Sequence, residues 1–188
     1  YENSSLDTLS EIYLNDWANS FKDKSTPLAK RFAEDYIRRF HFAKPDERGY
    51  TKIYSLTNSN QEPQQWERPV DATDLLKISL QQPLLPGENK ELNILYEIKI
   101  PSEKFTRFGY DDDGNYKLKY WYITPAVYDE NWQIYSDKNL GDQYTPPVDL
   151  TIRLSTRPYL YVATPLKKEK LITENIYKTT ILSGENRI

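Results

Sequence analysis

Apolar and polar residues alternate over most of this chain, and the spacing turns helical once, near the start. Ile12 and Leu14 alternate after the turn-like Asn3-Ser4-Ser5, and the run gives out at the polar Asn15 and Asp16. Ser25 or Thr26 can then cap a helix whose first position is Pro27, where a missing N–H costs nothing. Ala29, Phe32, Ala33, Tyr36 and Phe40 follow the spacing of one buried helical face, so a helix is predicted over about 26–40. Lys30/Glu34, Arg31/Asp35 and Glu34/Arg38 are i, i+4 pairs on its flanks, and Arg38-Arg39 suit its C-terminal dipole.

After the loop from Lys44 to Gly49 the period is two. Leu76, Ile78 and Leu80 make one strand, and a turn at Pro86-Gly87 leads into Leu92, Ile94, Tyr96, Ile98 and Ile100, which should face one core. Phe105–Tyr110, Asp113-Gly114 and Tyr116–Ile123 read as a hairpin, and residues 91–100 and 104–123 are expected to be the central part of a sheet. Val148, Leu150, Ile152 and Leu154 form another one-faced strand, Leu160 and Val162 a short one, and Ile176–Leu182 a last one. One early helix followed by short strands predicts a mainly β domain, an antiparallel-rich β-sandwich. No repeat, linker or low-complexity run marks a boundary, so residues 1–188 read as a single domain.

Composition narrows the chemistry. The net charge is −3 with no basic block, which excludes nucleic acid as the expected partner. Mean hydropathy is only −0.80, yet 16 Tyr and 4 Trp add buriable area enough for a folded domain. With no Cys and one His, thiolate sites, cysteine nucleophiles and two-histidine metal motifs cannot be built from this chain, and no metal site is expected in it. Absence of Cys fits the cytoplasm and secretion alike. There is no 18-residue apolar run, hence no membrane-spanning helix, and no signal peptide. A chain without Met that opens on Tyr1 reads as a piece of a longer protein.

Candidate motifs are few. Asp111-Asp112-Asp113-Gly114-Asn115 fails the EF-hand pattern at both ends and reads as a hairpin turn. His41, between Phe40 and Phe42, has no triad spacing around it and reads as a structural or surface residue. Carboxylate pairs such as Asp129 and Glu130 arise by chance among 28 acidic residues, so no catalytic residue is assigned. Tyr120, Trp121, Tyr122, Tyr128, Trp132 and Tyr135 crowd into sixteen positions, which suits a core, a protein or domain interface, or a sugar-stacking face.

Several of these pieces carry a resemblance. Tyr1-Glu2-Asn3-Ser4-Ser5, then Pro83-Leu84-Leu85-Pro86-Gly87 followed by Leu92-x-Ile94-x-Tyr96, then Tyr120–Tyr128, Trp132 and Val148–Ile152, occur in an order similar to the N-terminal saddle-like β domain of aminopeptidase N-type gluzincin metallopeptidases, in a bacterial, Bacteroidota-like form. The resemblance covers nearly the whole chain, with residues 21–50 reading as an insertion. It implies a non-catalytic domain that packs against a catalytic domain following Ile188 and shapes its peptide-substrate cleft. No cofactor is implied for this chain, whereas zinc is implied for the parent's catalytic domain. In many relatives a Gln or Glu near the strand matching Trp121–Thr124 holds the substrate amine; here that stretch is Trp-Tyr-Ile-Thr, so the clamp is not carried over. Tyr122, Thr124 and Trp132 are instead the cleft and interface candidates, through stacking and hydroxyl hydrogen bonds. The alternative from another class is a stand-alone β-sandwich module binding protein or carbohydrate.

Overall fold

A computed structural model describes residues 1–136, 138, 144–145 and 147–187. The chain is mainly β, with antiparallel sheets and one α-helix among the described residues. It divides into two compact units, Tyr1–Tyr144 and Thr145–Ile188, at a boundary that no composition change marks.

In the first unit the elements run β1 (Leu9–Asn15), α1 (Pro27–Glu34), β2 (Tyr50–Asn58), β3 (Gln65–Glu67), β4 (Leu75–Leu84), β5 (Leu92–Lys99), β6 (Gly109–Tyr110), β7 (Tyr116–Lys117), β8 (Thr124–Pro125), β9 (Val127–Asp129) and β10 (Asn131–Gln133). The main sheet has the order β3-β4-β1-β8, so the first strand of the chain lies inside it, with Ile12 opposite Ile78 and Asn15 opposite Thr124. Both faces of β1 are covered, which is why Tyr13 is buried along with Ile12 and Leu14. Strands β2 and β5 pair separately, as do β6 with β7 and β9 with β10.

The helix forms where the pattern places it but stops early. Thr26 Oγ1 accepts from the Ala29 N–H at 3.2 Å and itself donates to the Ser20 carbonyl at 2.7 Å, so one hydroxyl caps the helix and ties it back. After Glu34 the chain turns instead of continuing to 40. Tyr36 takes φ 57°, its N–H reaches the Ala33 carbonyl, and the Ile37 N–H reaches the Phe32 carbonyl at 2.7 Å. That is the Schellman closure, usually built on glycine, with Ile37 packed beside the core that holds Phe32. Phe40 remains fully buried because the following turn folds it inward, while Ala33 and Tyr36 are left in solvent.

Two hydrophobic clusters fill the unit. The first gathers Phe21, Leu28, Phe32, Phe40, Phe105 and Phe108; the second gathers Leu9, Ile12, Leu14, Leu56, Leu76 and Ile78. The alternating side of β5 does not face one core. Leu92 and Ile94 pack on the second cluster, Ile98 and Ile100 on the first, and all stay half-buried. Nor is 104–123 the middle of a sheet: it holds only the two-residue strands β6 and β7. Phe105 and Phe108 are both buried in one cluster at a spacing of three, which one face of a strand cannot satisfy. The segment folds on itself, the Tyr110 N–H bonding to the Pro101 carbonyl and the Glu103 N–H to the Tyr110 carbonyl, each at 2.9 Å. Gly109, at φ 154°, sits so close to Glu103 and Pro101 that a Cβ there would lie 2.4 Å from a backbone nitrogen.

The second unit is one antiparallel sheet of β11 (Val148–Thr156), β12 (Lys167–Thr173) and β13 (Lys178–Arg187), in the order β11-β13-β12. Ile152 lies opposite Leu182 and Leu154 opposite Thr180, as the one-faced pattern requires. Leu160 and Val162 are in a loop, not a strand: the carbonyls of Pro158 and Leu160 accept from the Lys178 ammonium at 3.2 and 2.6 Å, where a strand would direct them to a neighbour.

Candidate functional site

Thr124 and Pro125 form the edge strand of the main sheet, where a residue without an N–H is tolerated. Two residues earlier, Tyr122 is half-buried with its ring edge-on to Trp121 at 5.5 Å between centroids, and burial raises its phenol above the usual tyrosine range. Tyr96, from β5, accepts the Ile123 N–H at 3.4 Å and so ties the two sheets together at this segment. Burial raises the Tyr96 phenol too, partly offset by that backbone donor.

Trp132 lies beyond the β9–β10 turn, which Glu130 closes with φ 56°. It faces its cross-strand partner Tyr128 at 5.2 Å, Tyr13 at 5.6 Å and Tyr1 at 5.7 Å. Tyr128 donates its hydroxyl to Asp7 at 2.9 Å, and that acceptor raises its phenol. Tyr13 and Asn15 share one face of β1, and Thr124 is register-paired to Asn15. Two of the three candidates therefore border one strand, Thr124 opposite Asn15 and Trp132 on Tyr13, while the Tyr122 ring meets Trp121.

A buried polar network missed by sequence reasoning adjoins them. Asn15, Asp16, Asn19, Ser20 and Asp74 are each no more than 1 % exposed. Asp16 accepts from the Thr51 hydroxyl at 2.7 Å and pairs with the Arg68 guanidinium at 2.6 Å. Arg68 and Asn19 both donate to the Thr73 carbonyl at 2.7 Å, and Asp74 accepts from Ser20 at 2.9 Å and Ser136 at 2.7 Å. Burial raises the Asp16 carboxyl above its ordinary range, a push that Arg68 and Thr51 only partly offset and to which Asp74 adds. The sequence signal was faint: Asp16 and Asp74 each abut an apolar pair, Trp17-Ala18 and Leu75-Leu76, that the core swallows.

Three buried atoms in this neighbourhood lack partners, one of them Thr73 Oγ1 within the network. Asn15 Nδ2 and Thr124 Oγ1 are buried with no hydrogen bond, and their residues sit opposite each other in the β1–β8 register. Buried polar groups are nearly always paired, so this couple is an unmet demand for hydrogen bonds at the edge of the main sheet.

The remaining motifs settle into structural roles. The Asp111 carboxylate accepts from the Asp113 N–H, the Asn115 N–H and Asn115 Nδ2, and the Asn115 bonds pull it below its ordinary range. Gly114 closes that turn at φ 81°. His41 Nε2 lies 2.9 Å from the Ala29 carbonyl. Among the described residues no group of three His, Cys, Asp or Glu side chains is placed to hold a metal, and no helix is long and apolar enough to cross a membrane.

No protein-family profile matches the chain, and no curated protein matches it. Among solved structures the chain is similar to a crystal structure of a mutant two-domain M1 zinc metallopeptidase bound to L-arginine, with 14 % identity and a TM-score of 0.49 over 97 % of this chain. The chain spans 32 % of that protein's length. Likeness at this level is distant, and activity, metal and substrate have to be argued from the residues themselves.

Proposed function

We propose that this chain is the non-catalytic β domain of a zinc metallopeptidase-like protein, packing against the parent's catalytic domain and bordering its peptide cleft with Tyr122, Thr124 and Trp132. Zinc belongs, on this reading, to the domain that follows Ile188. The observation that supports it is the unpaired couple of Asn15 Nδ2 and Thr124 Oγ1, found beside Tyr122 in the stretch where the sequence resemblance expects a substrate-facing strand. Three of the segments that carry the resemblance, around Asn3, Leu84–Gly87 and Trp132, also meet in space within the first unit. Asn3 Nδ2 donates to the Leu84 carbonyl at 3.0 Å, the Gly87 N–H donates to the Asn3 carbonyl at 2.8 Å, and Tyr1 rests on Trp132.

The test is Thr124→Val in the full-length parent. Valine removes a hydroxyl that bonds to nothing in the domain, so the melting temperature should hold or rise slightly. Peptide turnover should fall, because the hydroxyl's partner is then the substrate. Lower stability with unchanged turnover would make Thr124 a framework residue and end the cleft reading. A reading frame that closes directly after Ile188 would end the parent reading and favour a stand-alone binding module.

A further inference from the structure

The end of α1 is built from a residue that suits it poorly. Tyr36 occupies the left-handed C′ position at φ 57°, where glycine escapes the strain that a side chain incurs. Its ring is 85 % exposed and, among the described residues, meets no other ring and makes no hydrogen bond. Six residues later the Phe42 ring is 80 % exposed and, among the described residues, stacks on no other ring. Between them Arg38 and Arg39 are exposed, and among the described residues neither side chain makes an ion pair or hydrogen bond. The neighbouring acids Glu34 and Asp35 are already engaged by Arg31.

The turn that carries these four side chains is anchored. Phe40 is buried in the first cluster beneath the Arg48 guanidinium, His41 is tied to Ala29, and the Phe42 N–H bonds to the Arg38 carbonyl at 3.1 Å. A fixed turn thus presents two nearly free rings and two uncompensated guanidiniums. Anything that covers it must bring negative charge and close around rings that stand clear of the surface. An anionic bilayer does both: lipid phosphates meet the guanidiniums, and the headgroup layer yields to Tyr and Phe wherever they stand.

We propose that residues 36–42 are a docking turn for an anionic lipid surface. The inference is independent of the cleft reading. It is tested by co-sedimentation of the chain with phosphatidylcholine vesicles, with and without phosphatidylglycerol. Binding should need phosphatidylglycerol and fall as salt is raised. Phe42→Ser and Tyr36→Gly should each weaken it about tenfold or more, and Arg38→Gln or Arg39→Gln about fivefold. Tyr36→Gly should also raise the melting temperature, since the strain goes and no contact is lost. A lower melting temperature for Tyr36→Gly would make the ring structural and overturn the proposal. So would variants that bind as the parent chain does, or failure to bind phosphatidylglycerol vesicles at low salt, the result expected of a turn that faces an acidic protein.

Discussion

Replacing Arg68 with Met tests whether the buried polar network is a true ion-pair core. Arg68 is the cation seen to pair with Asp16, whose side chain is 1 % exposed, and the methionine fills similar volume without a donor. Removing one partner of a buried pair typically costs about 3–5 kcal/mol. The lower half of that range is expected here, because the Arg68 side chain is 18 % exposed and water can follow it in. All four tryptophans, Trp17, Trp66, Trp121 and Trp132, lie in the first unit, so their fluorescence during urea unfolding reports on the unit that contains the network.

The pH dependence gives the sharper readout. Burial raises Asp16 above its unfolded value, so between the two values the native state holds more protons than the unfolded one. Unfolding free energy therefore falls as pH rises through that window; the advantage is full below the ordinary carboxylate range and gone above the native value. Without Arg68 the native value moves further up and the fall extends to higher pH. The penalty of Arg68→Met should accordingly be large at neutral pH and shrink on acidification, as Asp16 becomes neutral. Asp16→Asn, which keeps an acceptor for Thr51 and removes the charge, should cost less than Arg68→Met. A penalty under about 1 kcal/mol at neutral pH, or one that does not change with pH, would refute this account.

Truncating Ile78, fully buried in the second cluster, should cost about 2–5 kcal/mol in the same assay, and truncating the half-buried Ile98 about 1–2. Equal losses would mean that β5 is as deeply covered as β4. Gly109→Ala should cost more than Gly87→Ala, since a Cβ at 109 strikes backbone while one at 87 meets open space and suffers only the φ of 79°, about 1 kcal/mol. Thr26→Ala should lose about 1–2 kcal/mol by uncapping α1 and freeing the Ser20 carbonyl, seen as a lower melting temperature; Thr26→Ser should restore most of it.

What the sequence shows of this molecule depends on how far apart the deciding residues are. The start of α1 was readable because Thr26 and Pro27 act on their immediate neighbours. Its end was not, because the stop sits on Tyr36, and periodicity alone cannot distinguish a left-handed tyrosine from one more helical residue. The even-numbered side of β5 was legible as apolar, but its division between two clusters depends on partners brought in from α1 and β4. Asn15 and Asp16 looked like the polar end of a strand. Asp16 is buried with its partner Arg68 52 residues away, a pairing with no local signature. The stretch from Tyr122 to Trp132 stood out by its aromatic density, whereas the unpaired couple at Asn15 and Thr124 needed the register of β1 and β8 to become visible.

The place of β1 inside its sheet has a consequence for how the protein is made. A ribosome releases Leu9–Asn15 before β4 and β8, the strands on either side of it, which end at Leu84 and Pro125. At about 5–20 residues per second, roughly 70 further residues take some 4–14 s to appear, and the outer partner needs several seconds more. Through that interval a nascent chain carries Ile12, Tyr13 and Leu14 with no strand beside them. That is the stretch a cellular holdase would have to shield, and slowing translation between Asp16 and Leu75 should lower the soluble yield more than slowing it after Pro125.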